Sequence, residues 1–185
     1  MNDAQAREIR TMDEGSREDL ADVIQNLFIA ELLKPSKEIW IVSPWISDVE
    51  IIDNRTGRFV GLLPDAPQRW IRLSEIFTKI IERQGTVRLV TRPNNEKQEY
   101  YRNEQFVRQL LQNLTNDGNE SRFKFNYSEK LHEKGLLTDK ILLSGSMNFT
   151  FNGLRKLEEH ISVTNDGSDL ASASISFQRH WGDND

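Results

Sequence analysis

Residues Leu131–Thr150 read LHEKGLLTDKILLSGSMNFT. Two apolar runs, Gly135-Leu136-Leu137-Thr138 and Ile141-Leu142-Leu143, flank Asp139 and Lys140, the pattern of a strand, a turn and a strand. His132 and Lys134 stand two apart before the first run, so on a strand they share one face. Ser144-Gly145-Ser146-Met147-Asn148 follows the second run. The hairpin therefore delivers a polar cluster at its open end.

Upstream, apolar positions recur at helical spacing over Glu18–Leu33, with Ser16 as the expected N-cap and Lys34-Pro35-Ser36 as the stop. Glu38–Val42 is a continuous, β-branched run, as in a buried parallel strand. It empties into Ser43-Pro44-Trp45-Ile46, a turn with exposed polar groups. Residues 53–69, rich in Pro and Gly, are read as an inserted loop or short hairpin. A helix over Ile71–Gln84 ended by Gly85, a strand Thr86–Thr91, a helix from about Glu99 to Leu114 and a half-buried strand Ser121–Tyr127 follow. In that strand Phe123, Phe125 and Tyr127 form one face, expected to be core. Beyond the hairpin come a strand Glu159–Thr164 and a helix Asp169–Trp181. The fold class is α/β, a mixed sheet sandwiched between helices, without internal repeat.

Composition narrows the chemistry. With 37% hydrophobic and 29% charged residues the chain is globular. It has no cysteine, which excludes disulfides, thiolate metal sites and a cysteine nucleophile, and points to a reducing, cytoplasmic setting. The charged start lacks the apolar core of a secretory signal, and no run is long enough to span a membrane, so no membrane association is expected. Net charge is −5, yet residues 79–140 carry twelve basic against nine acidic residues, the only net-positive third. It leads into the hairpin and could set up a local field for a polyanion.

Within the cluster, an imidazole near neutral pH can serve as nucleophile or general acid and base, and an ammonium can hold a phosphoryl oxygen. Ser146 and Asn148 can donate to the same anion, with Gly145 allowing close backbone approach. Asp139 can orient an imidazole or cap the turn. No clustered carboxylates suggest a hard-metal site. Arg92, at the carboxyl end of the second strand, is a candidate for phosphate contact, and Lys97, Arg102 and Arg108 are expected on a solvated face. Trp40 is expected in the core. Trp45 and Ser43, after the first strand, are candidate substrate contacts, with packing as the alternative for Trp45.

His132-x-Lys134-x4-Asp139 followed by Gly145-Ser146-x-Asn148 resembles the His-Lys-Asp signature of the phospholipase D superfamily. Asn148-Phe149-Thr150, Glu159 eleven residues after Asn148, and Ser43-Pro44-Trp45-Ile46 are also similar to its small bacterial nuclease members. The resemblance implies a phospholipase D-like domain over 18–185, after a polar lead-in of residues 1–17. It implies metal-independent, cofactor-free phosphodiester hydrolysis in two steps through a phosphohistidine. His132 would attack phosphorus or protonate the leaving oxygen. Lys134 and Asn148 would hold phosphoryl oxygens, supported by Ser146. Glu159, rather than its neighbour Glu158, would orient His132, with Asp139 a structural orienter nearby. Family sites pair two signatures, and this chain has one, since neither His160 nor His180 has a lysine two residues on. The resemblance thus implies a C2 homodimer, alone or within a higher oligomer, with the two His132 side chains across the axis. DNA is the implied substrate and anti-phage defence or restriction the implied setting, where such proteins often act with an ATPase or helicase. A non-catalytic or regulatory subunit, and a phospholipase or transferase acting on a lipid or small molecule, are the alternatives.

Overall fold

The computed structural model describes residues 6–64, 66–94, 103–115 and 118–182. In chain order the elements are β1 (Ala6–Arg10), α1 (Glu14–Leu33), β2 (Glu38–Val42), β3 (Glu50–Asp53), β4 (Trp70–Arg72), α2 (Leu73–Glu82), β5 (Thr86–Thr91), α3 (Asn103–Thr115), β6 (Phe123–Tyr127), β7 (Gly135–Leu137), β8 (Leu142–Gly145), α4 (Phe151–Arg155), β9 (His160–Thr164) and α5 (Gly167–Gly182). Seven strands form one mixed sheet in the order β1-β9-β8-β7-β2-β5-β6, and β3 and β4 form a separate hairpin. Strands β2, β5 and β6 run parallel, and the other neighbours in the large sheet are antiparallel.

The parallel centre follows from its residues. Ile39, Ile41, Val42, Val87, Leu89 and Val90 are fully buried, as strands covered on both faces require. On one face Leu20, Ile24 and Phe28 of α1 join Ile76, Phe77 and Ile80 of α2 and Phe106 and Leu110 of α3 in the main core. On the other, Phe177 and Ala173 of α5 pack against Trp40, Val42, Val90 and Leu137. Trp40 meets Trp181 edge-on, with ring centroids 5.6 Å apart. No helix among the described residues is long and apolar enough to cross a membrane.

Several local expectations are corrected. Part of the stretch read as a polar lead-in is β1, which pairs antiparallel with β9 and buries Ile9. The edge position explains the miss, because only one apolar side chain of the strand is buried. Helix α1 starts four residues earlier than its apolar spacing suggested. Asp13 is its N-cap, accepting from Ser16 N at 2.8 Å, while Ser16 Oγ accepts from Asp13 N in return. Ile71 belongs to β4, and just past the end of α2 it is Gln84, not Gly85, that takes the left-handed conformation (φ 73°). A Cβ on Gly85 would sit 2.7 Å from Ile80, so close approach is what that glycine supplies. The start proposed for α3 near Glu99, like Lys97 and Arg102, lies outside the described residues. On β6 only Phe123 is core. Phe125 is 37% exposed because β6 is an edge strand.

Candidate active site

Strand register explains why distant segments converge. β2 and β5 run parallel, so Ser43 and Arg92 emerge at the same edge of the sheet. β7 is antiparallel to β2 with Gly135 opposite Val42, so Leu131–Lys134 arrive at that edge. In the next pair Gly135 faces Ser144, so Ser146–Asn148 leave there. β9 runs antiparallel to β8 with Ile161 opposite Gly145, which brings Glu159 and His160 to the same place. The carboxyl ends of the parallel strands thus collect His132, Lys134, Arg92, Asn148, Ser146 and Glu159.

His132 and Lys134 lie in the irregular segment before β7, not on the strand. His132 is exposed, and its ring makes no hydrogen bond among the described residues. Lys134 Nζ donates to the His132 carbonyl at 2.7 Å, which ties the two residues together. Burial pushes the Lys134 ammonium below the usual lysine range, and nearby Arg92 adds to this while Glu159 opposes it. Glu133, between them, points the other way. Its carboxylate accepts from Ser176 Oγ at 2.8 Å and lies 2.8 Å from His180 Nε2, both on α5. Asn126 Nδ2 donates in turn to the Trp181 carbonyl at 2.9 Å. The segment is therefore clamped from behind by the last helix.

The Ser146 hydroxyl donates to Glu159, accepts from His160 N at 3.0 Å, and so bridges β8 and β9. Glu159 is only 8% exposed. Its own N–H donates to Thr11 Oγ1 at 2.7 Å, just past β1. Glu159 therefore sits near Lys134 and holds Ser146, but no hydrogen bond joins it to His132 within this chain. Gly145 makes the bridge possible. Its φ is 148°, and a Cβ there would meet the His160 carbonyl at 2.1 Å. His160 is exposed on the surface, with Nε2 2.7 Å from Glu8.

Ser43 is fully buried and its hydroxyl faces inward. It donates to the Trp45 carbonyl at 2.7 Å, accepts from Phe149 N at 3.2 Å, and lies 3.5 Å from Asn148 Oδ1. The expectation that Ser43 contacts substrate is corrected: it has no surface to offer and instead holds the Asn148 turn. Arg92 is half-buried, donates to the Leu131 carbonyl at 2.6 Å, and stacks over Trp45, 5.4 Å from its ring centroid. Both thus lie beside the segment that carries His132.

Asp139 is the second correction. It lies at the far end of β7, where it accepts from Lys37 N at 2.8 Å, ahead of β2. The five residues of β2 separate Lys37 from Ser43, six steps or roughly 20 Å at about 3.3 Å per step. Asp139 ties two turns together and orients nothing at the opposite edge.

Sequence reasoning missed Asn103, Thr11 and the Glu133 clamp. Asn103 is wholly buried. It donates to the Pro44 and Arg92 carbonyls at 2.9 and 2.8 Å and accepts from Ile46 N at 2.8 Å, locking the two loops that carry Trp45 and Arg92. Only Glu133, flanked by His132 and Lys134, carried a signal that could have flagged it. Among the described residues no three or more His, Asp or Glu side chains are grouped so as to hold a metal ion.

The family model described as "Cardiolipin synthase, PLD-like domain" matches residues 71–181. The chain belongs to this phospholipase D-like family. The match takes in the whole hairpin and Glu159 but begins after Ser43 and Trp45. No curated protein matches the phospholipase D-like chain. Among solved structures it is similar to NucT from Helicobacter pylori, at 13% identity and a TM-score of 0.59 over 97% of this chain and 96% of that one. It is similar to Nuc from Salmonella typhimurium, a phospholipase D family member, at 14% identity and 0.58 over 97% and 95%. Polyphosphate kinase from Porphyromonas gingivalis matches at 12% identity and 0.62, over 99% of this chain and 26% of that one. These likenesses establish a shared phospholipase D-like fold.

Proposed function

We propose that the protein is a phosphodiesterase of the nuclease type, hydrolysing DNA in a site completed by a second copy of the chain. The carrying observation is the convergence of His132, Lys134, Asn148 and the Ser146–Glu159 pair at one sheet edge, with the His132 ring exposed and without a hydrogen bond among the described residues. In the first step one His132 attacks phosphorus, and the scissile oxygen leaves with a proton from the partner's His132. In the second, that histidine takes a proton from water, which attacks the phosphohistidine and frees the first ring. Lys134 and Asn148 neutralise the phosphoryl oxygens.

Support for the dimer comes from one signature per chain and from the apolar side chains beside the site. Met12 and Leu157 are 72% and 51% exposed, next to the Thr11–Glu159 contact. The similarity in fold and length to NucT and Nuc favours nucleic acid over lipid. The net charge of −5 fits recruitment by a partner, such as an ATPase or helicase in a defence assembly, better than free DNA binding. The test is plasmid nicking in EDTA. Wild type is expected to nick and His132→Ala to be inactive. Nicking that EDTA abolishes, or that survives His132→Ala, rejects the mechanism. Sedimentation of an active monomer rejects the shared site.

A further inference from the structure

Next to the site, a groove of about 630 Å³ runs between α3 and the β3–β4 hairpin, roofed at one end by α4. That volume is in the range of small-ligand clefts, ~300–1,000 Å³. The groove adjoins the loop that carries Asn148. Ser47 N, at its mouth, donates to the Phe149 carbonyl at 2.9 Å, and Phe151 lies three residues beyond Asn148. Its wall on α3 begins two residues after Asn103, which locks the site loops.

The lining selects its guest. Phe151 presents an aromatic ring and is 55% exposed. Gln105 and Gln109, four apart on one helix face, are exposed, and neither amide makes a hydrogen bond among the described residues. Val49 and Phe106 are apolar and almost buried, forming the floor. The charged members are Asp48, Glu50 and Arg72, and Arg72 is already spent on the Asp48 carbonyl at 2.7 Å and on Glu50 at 3.3 Å. Two carboxylates against one engaged guanidinium repel a phosphate from the groove. A cation stands beside Phe151 instead. Lys156 Nζ is 5.4 Å from the Phe151 ring centroid and forms no ion pair among the described residues, whereas Arg155 is engaged over the Trp70 ring, 5.1 Å from its centroid.

A neutral planar group with hydrogen-bonding edges satisfies all of this, with phosphates left outside. We infer that the groove binds one unpaired nucleobase of a single-stranded nucleic acid, next to the phosphate held at the candidate site. This rests on the nuclease reading above. The base stacks on Phe151, its edge meets Gln105 and Gln109, and a neighbouring phosphate meets Lys156. A paired, stacked base cannot reach the ring, so single strands are preferred over duplex.

The test uses full-length His132→Ala protein and a short fluorescent single-stranded DNA, read by anisotropy. Adding Phe151→Ala is expected to weaken binding about 5- to 100-fold, the usual effect of losing one base–aromatic stack. Phe151→Trp should stay within about threefold, and Gln105→Ala with Gln109→Ala should lose roughly 3- to 10-fold. In a series with one abasic position moved along the strand, one placement should cost as much as Phe151→Ala and make that substitution silent. Sedimentation of each variant checks that assembly is unchanged. If Phe151→Ala alters it, the glutamine pair decides. The inference is overturned if no oligonucleotide binds, if duplex binds as tightly, if Phe151→Ala is neutral, or if it costs the same at every abasic position. EDTA-resistant nicking by wild type despite a neutral Phe151→Ala would sink the groove and leave the nuclease standing. Phe151-dependent binding without nicking would do the reverse.

Discussion

Glu133 is the residue whose removal best tests how the candidate site is held. Its carboxylate joins the His132–Lys134 segment to Ser176 and His180, each at 2.8 Å, with Glu133 34% and His180 24% exposed. Hydrogen bonds to a charged group are worth about 1.5–3 kcal/mol each. Partial exposure screens the pair, so Glu133→Ala is expected to cost about 2 kcal/mol in total. For a domain of this size that lowers Tm by roughly 4–8 °C. Glu133→Gln keeps an acceptor and should lose about half as much. The functional effect is larger than the stability effect, because the same segment carries His132 and Lys134. Loosening it by about 1 Å is expected to lower kcat roughly 10- to 100-fold, with KM little changed. Urea unfolding and steady-state cleavage of a chromogenic phosphodiester, at a temperature where the variant is fully folded, separate the two. A kcat within twofold of wild type would refute the clamp as a positioning device. Equal stability of wild type and Glu133→Ala would refute the hydrogen bonds themselves.

Lys134 carries a lowered pKa from burial, and phosphate binding needs its ammonium. Activity should therefore fall on the alkaline side at a pH below the ordinary lysine value of about 10.4, and Lys134→Arg should move that limb upward in a pH–rate profile. The linked stability runs the other way. The unfolded chain keeps its proton to higher pH, so folding stability rises as pH climbs between the two pKa values, as urea midpoints across that window will show. Gly145→Ala forces a Cβ to 2.1 Å from the His160 carbonyl at a φ of 148° and should cost about 3–5 kcal/mol in urea unfolding. Asp139→Ala loses the acceptor for Lys37 N, about 1 kcal/mol, and should leave kcat within twofold, since the residue lies at the other end of the sheet.

Much of the site was legible because its chemistry is local. His132, Lys134, Ser146 and Asn148 flank one hairpin, and alternation of apolar runs placed that hairpin without further help. The parallel centre was equally plain, since a strand such as Glu38–Val42, covered on both faces, reads as unbroken apolar sequence. What stayed hidden depends on long-range partners. Ser43 looked like a ligand because a serine after a strand is usually exposed. Its burial follows from the Asn148–Phe149 turn, more than a hundred residues on. Asp139 shares a sequence motif with His132 but not a location, because a strand spends the intervening residues on distance.

The α/β class, the single signature and the chemical character of the cluster follow from residue type and short-range periodicity, which are intrinsic to the chain. Which of those residues meet depends on packing between distant segments. Strand pairing and register put His132, Lys134, Arg92, Asn148 and Glu159 at one edge and sent Asp139 to the other. They also brought in Thr11, Asn103 and the α5 clamp, whose hydrogen bonds exist only once segments far apart in sequence are packed together.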